Sequence, residues 1–252
     1  MPPPPNRHYR RRMLDRDPFA PTLRNRLLGL TATQAGEVVR WWRRQVRSAG
    51  AIGPMSPTAR RFGSFGEGSI ISYPAETLVN THAIHIGKGT LVATYVSLSA
   101  GWTPGQVDLP ERVVGIGDRC LIGRGSTVIG HRSIEIGDDV WTGHHVHITD
   151  MNHGYDDLDI PISQQAQPEN PVSIGSGSWL GHGVVVLPGS QIGRHVVVGA
   201  GSVVHGELPD RCVAAGVPAK VLRRYSPEEG WARVRAATGR ASTDAPLGAP
   251  LD

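Results

Sequence analysis

The feature that most constrains this chain is a six-residue rhythm. From Ile174 the sequence divides into IGSGSW, LGHGVV, VLPGSQ, IGRHVV, VGAGSV and VHGELP, each block opening on Ile, Leu or Val with glycine or another small residue soon after. An apolar residue every sixth position would wander around an α-helix of 3.6 residues per turn, so the pattern excludes a helical bundle. It suits a solenoid of short strands joined by tight turns, the aliphatic side chain inward and the small residues at the bends. Three blocks close one triangular coil. The abundant glycine, 32 residues, together with 20 prolines and few aromatics, points the same way, to an all-β chain rich in turns.

The phase of the repeat can be tested within the sequence. Ile-Gly opens blocks at positions 86, 116, 136, 174 and 192, and these five are expected to share one face. The second face then reads VATYVS, IGRGST, TGHHVH, LGHGVV, VGAGSV, and the third LSAGWT, VIGHRS, ITDMNH, VLPGSQ, VHGELP. Every departure from eighteen-residue spacing now falls at one corner: a long loop after Thr103, two extra residues after Ser133, and twenty after His153. The same phase predicts Trp141 beneath Trp179 and His144 beneath His182, one strand spacing of ~4.8 Å apart, as stacked pairs on the outer wall or a subunit contact.

The ends differ from the middle. Residues 1–30 are rich in proline and arginine without periodicity and are expected to be disordered or draped over the surface. Residues 31–50 space Val38, Trp42 and Val46 four apart, with Arg40, Arg43, Arg44 and Arg47 on the other side, predicting an amphipathic helix capped by Thr31 or Thr33. Packing of this helix against the solenoid or a neighbouring subunit is the favoured reading, with contact to a membrane surface as the alternative. The solenoid is expected over 66–224. Residues 225–252 should form a short C-terminal helix, within SPEEGWARVRAA, and a flexible tail.

Thirteen arginines and three acids precede residue 62, so the net charge of +4 belongs to the N-terminal extension and the remainder is acidic. Nothing else suggests nucleic-acid reading. The two cysteines, Cys120 and Cys212, occupy unrelated repeat positions, which indicates neither a disulfide framework nor a cysteine metal site. With no apolar leader segment and no apolar run of ~20 residues, a soluble, cytoplasmic protein is expected.

The segments ITDMNH, IGSGSWLGHGVVVLPGSQIG, VVVGAGSVV and AAGVPAKVLRR, within about residues 70–224, resemble the hexapeptide-repeat acyltransferases, in the branch of the maltose, galactoside and colanic acid O-acetyltransferases. The resemblance implies a left-handed parallel β-helix, an exception to the usual right-handed crossover. It also implies a homotrimer with acyl-CoA, most simply acetyl-CoA, in a groove between prisms, and no required metal. The catalytic histidine of such enzymes ends a block just before an excursion, a position held here by His153. A sugar hydroxyl is a weak nucleophile near neutral pH, and imidazole, with an ordinary pKa of ~6.5, suits the removal of its proton as it attacks a thioester.

On the same resemblance Trp179, Gly181, Pro188, Gly189, Ser190, Gly199, Ala200, Gly201 and Ser202 line the pantetheine groove, although a β-helix needs small residues at its bends regardless of ligand. Lys220, Arg223 and Arg224 would meet the CoA phosphates. Related enzymes often carry Thr-Lys where this chain has His205 and Gly206, which shifts nucleotide contacts toward Arg194 or the C-terminal arginines. The acceptor side is expected from Asp150, Asn152, Tyr155, Asp156 and Asp157, with Asp159 nearby in the same loop. Asp150 could orient His153 or merely shape a turn, and Asn80 is a candidate partner for His153. Three alternatives stay open: a xenobiotic acetyltransferase of the same fold, an inactive solenoid scaffold, and a γ-type carbonic anhydrase. The last is disfavoured because no two of the eleven histidines stand five apart.

Overall fold

A left-handed parallel β-helix forms the body of the chain, in a computed structural model that describes Gly29 and residues 31–234. The expected N-terminal segment 1–30, Gly29 apart, and the expected tail beyond residue 234 lie outside the described residues. The chain divides into two units at Ala51/Ile52.

The first unit contains one described helix, α1 (Ala32–Gly50). Of the two threonines proposed as cap, Thr31 takes the role: its hydroxyl accepts the N–H of Gln34, whose side chain accepts the N–H of Thr31. This reciprocal box satisfies two N–H groups that the helix cannot pair internally.

In the second unit three parallel sheets make the faces of a prism. The register confirms the phase read from the sequence. On the first face Ile86 pairs with Ile116, Ile116 with Ile136, Ile136 with Ile174 and Ile174 with Ile192. On the second, Val92, Ile122, Thr142, Leu180 and Val198 mark successive block starts, and on the third Leu98, Val128, Ile148, Val186 and Val204. Fourteen of these fifteen side chains are apolar and at most 2% exposed, forming one continuous core.

The Ile-Gly signature follows from coil stacking. A Cβ on Gly117 would stand 2.7 Å from the carbonyl carbon of Gly137 in the next coil, and one on Gly175 only 2.5 Å from that of Gly193. No larger residue fits between coils one strand spacing apart. An aspartate at the position after the glycine, or after Pro209 in the last coil, then ties the coils together. Asp118 Oδ1 accepts the N–H of Lys88, Asp138 Oδ1 that of Asp118, and Asp210 Oδ1 that of Arg194. Inside the same corner Cys120 is a free buried thiol donating to the Gly137 carbonyl, much as Thr90 donates to that of Gly117.

The ends of the solenoid correct two expectations. It begins at Ser64 rather than 66, since Ser64–Phe65 already pairs with His85–Ile86. The short C-terminal helix is absent from the described part of 225–252: Lys220–Ser226 runs antiparallel to Cys212–Ala215, and Gly230–Arg233 pairs back onto it. The open edge of the second-face sheet supplies hydrogen bonds that a short local helix would forgo. Gly230, at φ +68°, permits the turn, and Tyr225 meets Trp231 across the hairpin with centroids 5.6 Å apart.

Candidate active site

All three insertions leave the corner where third-face strands give way to first-face strands, after Ala100, Gly130 and Thr149. The longest is held by a ladder rather than dangling. The N–H of Asn152 donates to the Pro168 carbonyl, that of Gly154 to Ala166, and that of Asn170 to Asp150, while Met151 and Glu169 form an antiparallel bridge. His153 therefore sits on a paired stem, its backbone neighbours fixed and its side chain exposed. Its own N–H is taken by the Asn152 side chain at 3.0 Å.

Beyond the stem, Tyr155, Asp156 and Asp157 are exposed on the same excursion. Gln165 staples its tip: the side-chain amide donates to the carbonyls of Asp157 and Ile160 and accepts the Asp157 N–H. The expected acceptor residues thus share one element with His153, except for Asp150.

Asp150 is a correction. It is fully buried, one carboxylate oxygen accepting the N–H of His131 and the other those of Arg132 and Ser133. A carboxylate satisfied by three backbone donors shapes the turn and is shut off from an acceptor. The Asn80 side chain donates to the carbonyls of Ala100 and Thr103 and accepts the N–H of Gly105, which ties down the first insertion.

The sequence reading missed His131. It lies one coil before the stem, 9% exposed, its ring edge-on to Trp102 with centroids 4.0 Å apart, and its buried Nδ1 has no hydrogen-bond partner. Burial pushes its pKa below the ordinary histidine value, against the opposing pull of Asp150 and Glu169. The signal was faint, since only the alignment of GHRS beneath DMNH on the third face brings this histidine to the corner.

The expected donor residues separate into three places in one chain. Trp179 projects from the second face, with Gly181 and the stretch Gly199, Ala200, Gly201 and Ser202 at the corner between second and third faces. Pro188, Gly189 and Ser190 lie at the corner of the His153 stem, where the N–H of Gly189 donates to the Asn170 carbonyl. Ser190 and Ser202 are corrections: both are fully buried, Ser190 Oγ donating to Leu187 and Val204 and Ser202 Oγ to Gly199, so neither hydroxyl lines a groove. Gly181 is required by stacking, since its Cβ would stand 2.6 Å from the N of Ala200. Lys220 and Arg224 are exposed and Arg223 half-buried on the C-terminal hairpin. Arg224 lines a surface cavity of about 400 Å³ with Glu207 and Asp210, two carboxylates that oppose a phosphate there.

Trp141 and Trp179 pair in register as expected, 57% and 53% exposed. His144 and His182 meet with centroids 6.3 Å apart, and His145 joins them at 5.5 Å from His182. Among the described residues, no group of three or more His, Cys, Asp or Glu side chains is arranged to hold a metal ion, and no helix is long and apolar enough to cross a membrane.

Two family models match the solenoid: "Bacterial transferase hexapeptide (six repeats)" over residues 171–206 and "Hexapeptide repeat of succinyl-transferase" over 113–141. A probable acetyltransferase of Mycobacterium tuberculosis is 41% identical over 107 residues, 42% of this chain and 36% of that protein. WbbJ of Escherichia coli, named as a lipopolysaccharide biosynthesis O-acetyl transferase, is 44% identical over 103 residues, 38% of this chain and 53% of its own. The Escherichia coli galactoside O-acetyltransferase is 32% identical over 105 residues, 40% of this chain and 48% of that protein. The chain thus spans about half or less of these relatives. Among solved structures, AntD, an N-acyltransferase from Bacillus cereus in complex with dTDP and 3-hydroxybutyryl-CoA, superposes with a TM-score of 0.59 at 20% identity, over 71% of this chain and 92% of that one. At that identity the match speaks to the fold. The matches agree with the resemblance carried by the sequence motifs: the matched repeats are of the hexapeptide transferase type, and the relatives they match include proteins named as O-acetyltransferases.

Proposed function

We propose that this hexapeptide-repeat chain is an acyl-CoA-dependent O-acyltransferase that moves an acetyl group from acetyl-CoA to a hydroxyl of a sugar or glycan precursor. The observation that carries the reading is the exposed imidazole of His153, on a hydrogen-bonded stem that interrupts the repeat immediately before the transferase-type segment 171–206. The relatives named as O-acetyl transferases support oxygen as the acceptor atom.

On this reading the acceptor lies along the excursion, its hydroxyls met by Asn152, Tyr155, Asp156 and Asp157. His153 removes the proton from the attacking hydroxyl as its oxygen bonds to the thioester carbonyl carbon. A backbone N–H beside the groove stabilises the tetrahedral oxyanion, which collapses with loss of the CoA thiolate. Because the expected donor residues do not converge within one chain, the reading needs a second prism to complete the groove.

The second face supports such an assembly, as a homotrimer. Ile70, Leu91, Leu121, Trp141, Trp179, Val197 and Val213 follow one another in register on its outer side. The corresponding positions of the first face include Ser64, His85, Glu135, Ser173, Gln191 and Glu207. A continuous apolar ladder on one face is the mark of a surface that another protein covers.

The test is thiol release from acetyl-CoA with a panel of mono- and oligosaccharide acceptors, comparing wild type with His153→Ala. Acceptor-dependent release that is lost in the folded variant supports the reading. If acetyl-CoA and longer acyl-CoAs neither bind nor turn over, the solenoid is a scaffold.

A further inference from the structure

Helix α1 has two faces of opposite character. At roughly 100° per residue, Ala35, Val38, Val39, Trp42, Val46 and Ala49 fall within one arc, and Arg40, Arg43, Arg44 and Arg47 within the opposite one, with Trp41 at the boundary. Among the described residues of its own unit nothing covers the apolar arc: Val38 and Val39 are 52% and 54% exposed, Trp41 and Trp42 54% and 60%. Its one acid, Glu37, is engaged by Arg40 three residues on. Four arginines against one glutamate leave the helix strongly cationic, and the thirty preceding residues add seven arginines against two aspartates.

From this pairing of exposed indoles with an unbalanced arginine face, we infer that α1 binds the protein to an anionic lipid surface, lying in the plane of the interface. The helix is too polar to span a bilayer, and its composition is that of an interfacial one: arginines on the polar side, tryptophan and valine on the other. A lipid surface satisfies both arcs at once. The indoles and valines enter the headgroup boundary while the arginines meet acidic headgroups. Nucleic acid would engage only the arginines and leave the apolar arc in water. Association with a second copy would cover the apolar arc and leave the arginines without an anionic partner. The inference takes the alternative read from the sequence, a membrane surface, over packing against protein because the arginine arc calls for an anionic partner. The inference is independent of the transferase reading.

The experiment is flotation of the full-length protein with vesicles of phosphatidylcholine alone or with about 30 mol % phosphatidylglycerol, at low and high salt. The protein is expected to float with the anionic vesicles only, and high salt should release at least about tenfold of it. Two variants, Trp41→Ser with Trp42→Ser and Arg43→Glu with Arg44→Glu, should each cut the bound fraction about tenfold or more without changing thiol release in solution. Wild type remaining in the soluble fraction with anionic vesicles overturns the inference, as do variants that float like wild type. So does a tryptophan variant that alters the oligomer's elution and not its flotation, or duplex DNA binding that the arginine variant abolishes in a protein that never floats.

Discussion

The carboxylate of Asp150 lies 2.8 Å from the backbone nitrogen of His131 in the preceding coil, and its second oxygen receives the N–H groups of Arg132 and Ser133. The stem that carries His153 is thereby fixed to the turn beneath it, so the placing of the histidine proposed as general base depends on a buried carboxylate.

Removing that carboxylate leaves three buried or half-buried donors without a partner, each costing about 1–3 kcal/mol. Asp150→Ala should lower unfolding free energy by roughly 3 kcal/mol or more, and Asp150→Asn by less, since one acceptor oxygen survives. Denaturant titration of both variants checks this, and a wild-type midpoint for Asp150→Ala would show the turn to be self-supporting.

His153 has the opposite profile. Its side chain is exposed and its hydrogen bond to Asn152 is made by the backbone, so His153→Ala should leave the denaturation midpoint within about 0.5 kcal/mol of wild type. Acceptor-dependent thiol release should fall by about 10²-fold or more. A folded variant that retains full turnover would remove His153 from the chemistry.

On the proposed reading the apolar ladder of the second face sets the assembly. Replacing Trp141 and Trp179 together by lysine puts two cations per chain where the reading expects a dry contact, at a cost of several kcal/mol per interface, roughly the burial of two large side chains and more. Light scattering should show the trimer dissociating, and turnover should fall with it. An intact oligomer would move the interface to another face.

Stability should decline in mild acid. His147, half-buried and bonded through Nδ1 to Thr127 Oγ1, and His131 both have pKa values pushed down by burial. As pH falls through ~6.5, histidines of the unfolded chain protonate while these two stay neutral, so the unfolded state binds more protons and is favoured. The loss ends once pH drops below the folded values. Denaturation midpoints should therefore fall between pH 7.5 and 5.5, and His147→Gln should flatten that dependence.

What the sequence determined by itself was everything set by local period. An inward aliphatic residue and a stacked glycine recur in each Ile-Gly block, so Ile86, Ile116, Ile136, Ile174 and Ile192 could be placed on one face, and the corner of the insertions found, before any coordinates. A threonine cap, Thr31 or Thr33, was legible from the sequence, and the reciprocal bonds with Gln34 decide for Thr31. The fates of Asp150, Asn80, Ser190 and Ser202 were decided by tertiary structure. Their hydrogen bonds reach mostly 14 to 25 residues along the chain, to backbone groups that carry no side-chain signature. The C-terminal hairpin belongs with them, because SPEEGWARV suits a helix in isolation and becomes a strand and turn only where the edge at Cys212–Ala215 offers unpaired backbone. The exposed tryptophans of the second face sit between the two cases: their spacing was plain in the sequence, but only the folded solenoid showed that its own core leaves Trp141 and Trp179 uncovered.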